Sequence, residues 1–164
     1  MPATRVTHLF VRRGRLDVET ATPLRHLHVS EEAARRVCSL LPNLPSHVCV
    51  NREGGPTFGE EIVGTELPHL LEHVVIELQG QACRGLPGRP ELVGHTSWVE
   101  ELSATAPDGY ALMRTTVSFA DDVVALRAVK EALPVLDWAC EVAGAGMPDV
   151  PASVARLRSL AQGK

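Results

Sequence analysis

The chain has 164 residues, 45% of them hydrophobic and 22% charged, so one globular domain with a single core is expected over 1–164. A net charge of −4 and an aromatic content of 4% exclude a basic field and a base-stacking platform, so nucleic acid is not expected as a partner. No apolar run can span a bilayer, the opening "MPATRVTHLFVRRGRL" lacks a signal stretch, and Cys38, Cys49, Cys83 and Cys140 form no CxxC pair. These features predict no membrane partner, reduced structural thiols and a cytoplasmic location.

In chain order, "RVTHLFVRRG" predicts a first strand ending at a glycine turn, and "DVETATPLRHLHV" a second. "SEEAARRVCSLLPNL" predicts a helix, with Ser30 as N-cap, two glutamates in the first turn and Val37, Leu40 and Leu41 on an apolar face. Prolines and glycines make "PNLPSHVCVNREGGPTFGEEIVG" a loop. A helix follows over Glu66 to Gln81, with Thr65 as its cap and Pro68 in its first turn. "CRGLPGRPELVGHT" reads as loop, and "PDG" introduces the strand "YALMRTTVSF". "ADDVVALRAVKEALPVLDWACEVA" predicts a long helix, bent or broken near Pro134. The core is expected over about 5–143, with a short helix in the tail 144–164, packed on the domain or on a partner subunit. A few strands interleaved with three or four helices predict an α+β fold, a small two-layer sandwich with an antiparallel or mixed sheet and helices on one face.

Within the Glu66–Gln81 helix, "HLLEH" places His69 and His73 four residues apart with Glu72 between them. At about 100° per residue, Leu67, Leu70, Leu71, Val74, Val75 and Leu78 form the core stripe, and His69, Glu72 and His73 fall opposite it beside Ile76. Imidazoles one turn apart can share an ion at the usual zinc–nitrogen distance of about 2.0–2.1 Å. A glutamate just before the second histidine is placed to act as a base, the inverted zinc-peptidase order H-x-x-E-H. A histidine pair on an exposed helix face is also often merely solvated, and the motif by itself lacks the third ligand that catalytic zinc needs.

The stretch "GTELPHLLEHVVIELQGQA" resembles the amino-terminal domain of cyanophycin synthetase, with its threonine, its histidine–glutamate–histidine helix and its "ELQ" ending. "VCSLLPNLPSHVCV", "LVGHT" and "YALMRTTVSFADDVVALRAVKEAL" are similar to the family's segments before and after that helix, over about residues 25 to 140. The synthetase's ATP-grasp and Mur-ligase-like parts have no counterpart here, so a free-standing relative of the amino-terminal domain is expected.

The resemblance implies a pitrilysin-like zinc site that cleaves the aspartate–arginine polymer into primers, with His69 and His73 as ligands and Glu72 as general base. It places the third ligand among acids of the later long helix, Asp121 or Asp122, with Glu131 and Glu77 as substitutes. The pitrilysin-type pattern uses glutamate there, and acids at a helix start also complement its dipole without any metal. His95 and Ser97 stand where the family carries arginines. Arg84 and Arg89 are candidate contacts for a substrate carboxylate. His8 and His47 show no spacing that marks them as ligands, and His26 and His28, which do alternate on a possible strand, are expected at the surface.

The expected function is therefore a zinc-dependent hydrolase of amide or isopeptide bonds, acting on a cyanophycin-like polymer or a related peptide. The alternative is a non-catalytic polymer-binding or scaffold module that partners a separate synthetase or ligase. Imidazole and carboxylate donors also accept iron, nickel, copper or manganese. An apolar residue such as Ile76 on the outer helix face leaves a homodimer open.

Overall fold

The computed structural model describes residues 1–49, 54–88 and 91–163; Arg89 lies outside them. β1 (Arg5–Arg12) and β2 (Arg15–Pro23) form an antiparallel hairpin, turned at Gly14, whose φ of 73° suits a residue without a Cβ. β4 (Tyr110–Ser118) pairs antiparallel with β2, and β3 (Gly94–Trp98) with β4, giving the order β1-β2-β4-β3. The α+β sandwich is as expected, and its sheet is wholly antiparallel among the described residues.

The two faces of the sheet differ as strand alternation requires. Leu16 and Val18 of β2 and Val117 of β4 face the helices and are fully or almost fully buried. On the other face Asp17 and Glu19 are buried carboxylates, each held by partners. Asp17 accepts from Thr116 at 3.0 Å, and Glu19 accepts from Arg114 at 2.6 Å and pairs with His8 at 3.1 Å.

α1 (Glu31–Leu40) begins as the sequence predicts, with Ser30 Oγ accepting from Ala33 N at 3.1 Å. α2 (Phe58–Glu61) is a single turn in the stretch read as loop, fixed where the Glu60 carboxylate accepts from Thr57 N at 2.7 Å. α3 (Leu67–Ala82) crosses the sheet and is the centre of the molecule, packing on α5 (Asp122–Ala139), α6 (Val150–Ala161), β3 and β4. α4 (Glu100–Ser103) lies in the connection from β3 to β4.

α5 runs unbroken through Pro134, so the break expected there is absent. Pro134 is exposed, and so is Lys130, whose carbonyl loses its helical donor, so water can satisfy it. The tail helix docks on the domain: Leu157 is fully buried, and Arg158 donates to the carbonyl of Ala82, the last residue of α3, and to that of Arg84 just beyond it. Among the described residues, no helix is long and apolar enough to cross a membrane.

Candidate metal centre

The face of α3 that carries His69, Glu72 and His73 is not a solvent face. Glu72 is 4% and His73 3% exposed, and Ile76 packs against the core. The helical wheel located the core stripe correctly, but His47, Cys49, Phe58 and β3 cover the opposite side. Thr65 does not cap α3 either. Glu66 is the N-cap residue and makes no side-chain cap bond, while Thr65 Oγ1 lies 2.8 Å from His69 Nδ1.

Three donors converge above this face. His69 Nε2 and His73 Nε2 are 3.2 Å apart, and Cys49 Sγ lies 3.9 Å from the first and 3.6 Å from the second. Among the described residues, no other trio of His, Cys, Asp or Glu brings its donor atoms within 4.8 Å of one another. The chemistry fits a metal: two imidazole nitrogens and a thiol sulfur are borderline-soft donors, three in number, with a fourth side facing a cavity. That cavity, of about 220 Å³, is lined by Cys49, Glu66, His69, Glu72, Gly94, His95 and Thr96.

The trio is assembled from distant pieces of chain. A short bridge pairs Val48 with Thr57, and Phe58 N donates to His47 O at 2.7 Å. This lays residues 47–49 and α2 together across α3. Phe58 is fully buried and stacks on His73, with ring centroids 3.8 Å apart, while meeting His69 edge-on at 5.2 Å. Below the histidines, His47 Nδ1 is 3.1 Å from His73 Nδ1, His47 Nε2 is 2.7 Å from Glu77 Oε2, and Gln81 donates to Glu77 Oε1 at 2.7 Å.

Glu72 sits beside the trio with its carboxylate in the same cavity. Thr96 Oγ1 donates to Glu72 Oε2 at 2.7 Å and is itself 3.0 Å from Thr115 Oγ1, which donates to Pro68 O at 3.2 Å. β3 thus holds the glutamate from the side, a strand that begins within the stretch read as loop.

Burial sets the protonation states. It pushes the Glu72 carboxyl up to about 7, opposed by the Thr96 hydrogen bond and by His47. It drives His73 down to about 3, helped by His69 and His47, and lowers His69, so burial favours the neutral imidazole that a metal requires. It raises the Cys49 thiol to about 12, with the neighbouring Glu61 carboxylate adding to the shift. Burial also pushes Glu77 upward, but hydrogen bonds from His47 and Gln81 outweigh it and hold the group below its usual value.

The acids proposed as third ligand lie elsewhere. Asp121 caps α5, its Oδ1 accepting from Val124 N at 3.0 Å, and Asp122 is exposed in the first turn of that helix. Glu131 is held by Arg127 at 2.7 Å, Ser153 at 2.6 Å and Arg156 at 2.8 Å, and joins α5 to α6. Glu77 reaches the histidines only through His47. The sequence reading passed over Cys49, His47 and Phe58. The one signal available was the nearness of "HVC" to a loop rich in glycine and proline, too weak to single them out.

Among curated proteins none matches the chain. Residues 15–95 match the family described as the cyanophycin synthase-like N-terminal domain, a stretch that contains Cys49, His47, Phe58, His69, Glu72, His73 and Gly94. Over that stretch the chain is related to the cyanophycin synthase-like N-terminal domain.

Proposed function

We propose that the chain is a metal-dependent hydrolase of amide or isopeptide bonds, with Cys49, His69 and His73 as ligands and Glu72 as the base. The observation that carries this reading is the convergence of three donors beside a buried carboxylate at the wall of an open cavity. The relation over residues 15–95 makes a cyanophycin-like aspartate–arginine polymer, or a peptide related to it, the first substrate class to test.

Zinc suits the donor set, and when bound it would polarise a substrate carbonyl and make water more acidic. The remaining chemistry belongs to the chain. A carboxyl poised near neutrality can accept a proton from water and return it to the departing amine. Thr96 fixes one carboxylate oxygen, which leaves the other to do this work. Phe58 packs against both imidazoles and holds them in place, so little reorganisation is needed when a ligand arrives.

The test is metal content and turnover in the same preparations. About one zinc per chain is expected in the wild type, lost in His69→Ala, His73→Ala and Cys49→Ala. Amine release from the polymer or from a β-aspartyl isopeptide should accompany it. Stoichiometric metal without turnover on any amide substrate would favour the alternative of a polymer-binding module beside a separate synthetase or ligase.

A further inference from the structure

We propose that Glu66 and Trp98 form a subsite for a guanidinium-bearing side chain next to the bond that is cut, so that the protein selects basic over neutral peptide substrates. The inference rests on reading the cavity beside Cys49, His69 and His73 as a hydrolytic site.

Glu66 and Glu72 both line that cavity, and each is tethered to β3 by a side chain of the strand. Thr96 Oγ1 donates to Glu72 Oε2 at 2.7 Å, and Trp98 Nε1 donates to Glu66 Oε1 at 3.4 Å. Gly94, Thr96 and Trp98 alternate along β3, so they share the face turned toward α3. Thr96 and Trp98 are therefore about 7 Å apart along the strand, the spacing of side chains two positions apart in an extended peptide. An extended substrate that reacts beside Glu72 thus brings a side chain one or two positions away to Glu66.

The surroundings of Glu66 call for a cation. Glu66 is the N-cap residue of α3 but makes no side-chain cap bond, so its carboxylate is not spent on the helix. Among the described residues no Lys or Arg pairs with it, and its partner is a neutral indole. That hydrogen bond uses the edge of the Trp98 ring, which is 50% exposed, and leaves the ring's face open. A planar guanidinium can lie on an indole face and reach a carboxylate with its N–H fork at the same time, whereas an ammonium is a point charge. No Lys or Arg lines the cavity among the described residues. Arg84, expected to meet a substrate carboxylate, follows the opposite end of α3, a helix about 24 Å long at about 1.5 Å per residue. The cavity therefore offers a substrate side chain an acid beside an aromatic face.

The test reads binding apart from turnover. N-acetyl-arginine amide and N-acetyl-citrulline amide have nearly the same shape and differ in the charge at the end of the side chain. In 15N-labelled wild-type protein, the Trp98 indole N–H signal, assigned by its loss in Trp98→Phe, should move on titration with the arginine probe. That probe should bind about tenfold more tightly than the citrulline probe. Glu66→Gln keeps the length of the side chain and still accepts from Trp98, and should abolish the preference. Equal affinity for the two probes in the wild type, or a preference that survives in Glu66→Gln, would overturn the subsite. On isopeptide substrates, kcat/KM with arginine beside the bond should exceed that with citrulline by a similar factor, and Glu66→Gln should bring the two together. Preference for the arginine probe without turnover of any amide substrate would support the subsite and overturn the hydrolase reading. Turnover at equal rates on both substrates would support the hydrolase and overturn the subsite.

Discussion

Gly94 lies against the side chain of Glu72 so closely that a Cβ at that position would stand 2.6 Å from Glu72 Cγ and 2.7 Å from Oε1. The neighbour here is a buried carboxylate held by Thr96 in a covered helix face, so it cannot simply move aside. Gly94→Ala is therefore expected to displace Glu72. Stability should fall by about 1–3 kcal/mol, the usual cost of overpacking. Turnover should fall roughly 10- to 100-fold from misplacement of the base, with zinc still bound. Denaturant unfolding and zinc content on one preparation check both parts.

Glu72→Gln separates binding from chemistry. The amide keeps the shape and can still accept from Thr96, but it is not a base. Zinc content is expected to stay at about one per chain while hydrolysis falls by about 10²-fold or more. A fully active variant would remove Glu72 from the reaction.

Cys49 and Asp121 give opposite results. Cys49→Ala should lose the metal without unfolding the chain. Asp121→Ala should cost about 1 kcal/mol of stability through the lost cap on α5 and leave zinc content unchanged. Elemental analysis beside thermal melts distinguishes a ligand from a cap.

Phe58→Ala removes a fully buried ring that covers both histidines. The expected loss is about 3–5 kcal/mol, as for other large-to-small changes in a core. Leucine at 58 should recover much of the stability but not the stacking on His73, so metal affinity should remain weaker than in the wild type.

Glu131 governs acid stability. The Arg156 hydrogen bond, with those from Ser153 and Arg127 outweighing partial burial, holds its carboxyl down to about 2, below the ordinary 4.5. A depressed carboxyl adds stability that is fully present above the unfolded value and is lost as pH falls through the folded value. The loss should therefore run from about pH 4.5 to about pH 2, and amount to about 1–2 kcal/mol given the half-exposed arginines. Glu131→Gln should flatten that part of the stability–pH curve and loosen α6 from α5.

How far the sequence reaches depends on whether an interaction is local. Strand alternation in "YALMRTTVSF", the Ser30 cap and the i, i+4 histidine pair are written in neighbouring residues, and each appears in the structure where the sequence puts it. The side of α3 that holds the pair was misread for the same reason. A hydrophobic period shows which face of a helix must be buried, but it cannot show that a polar face is covered as well. Here that cover comes from His47, Cys49, Phe58 and β3, which meet α3 through tertiary contacts. Cys49 lies 20 residues before His69 and has no periodic relation to it, so only the folded chain brings its sulfur to the two imidazoles. Asp121 shows the converse. Its position before a helix invited a ligand role, and the structure spends its carboxylate on the first turn of α5. The sequence alone determined the α+β class and the histidine–glutamate–histidine helix, because both follow from short-range patterns. The tertiary structure decided the third donor, the His47–Glu77 pair and the burial that sets every protonation state at the site, because each depends on which distant residues exclude water from α3.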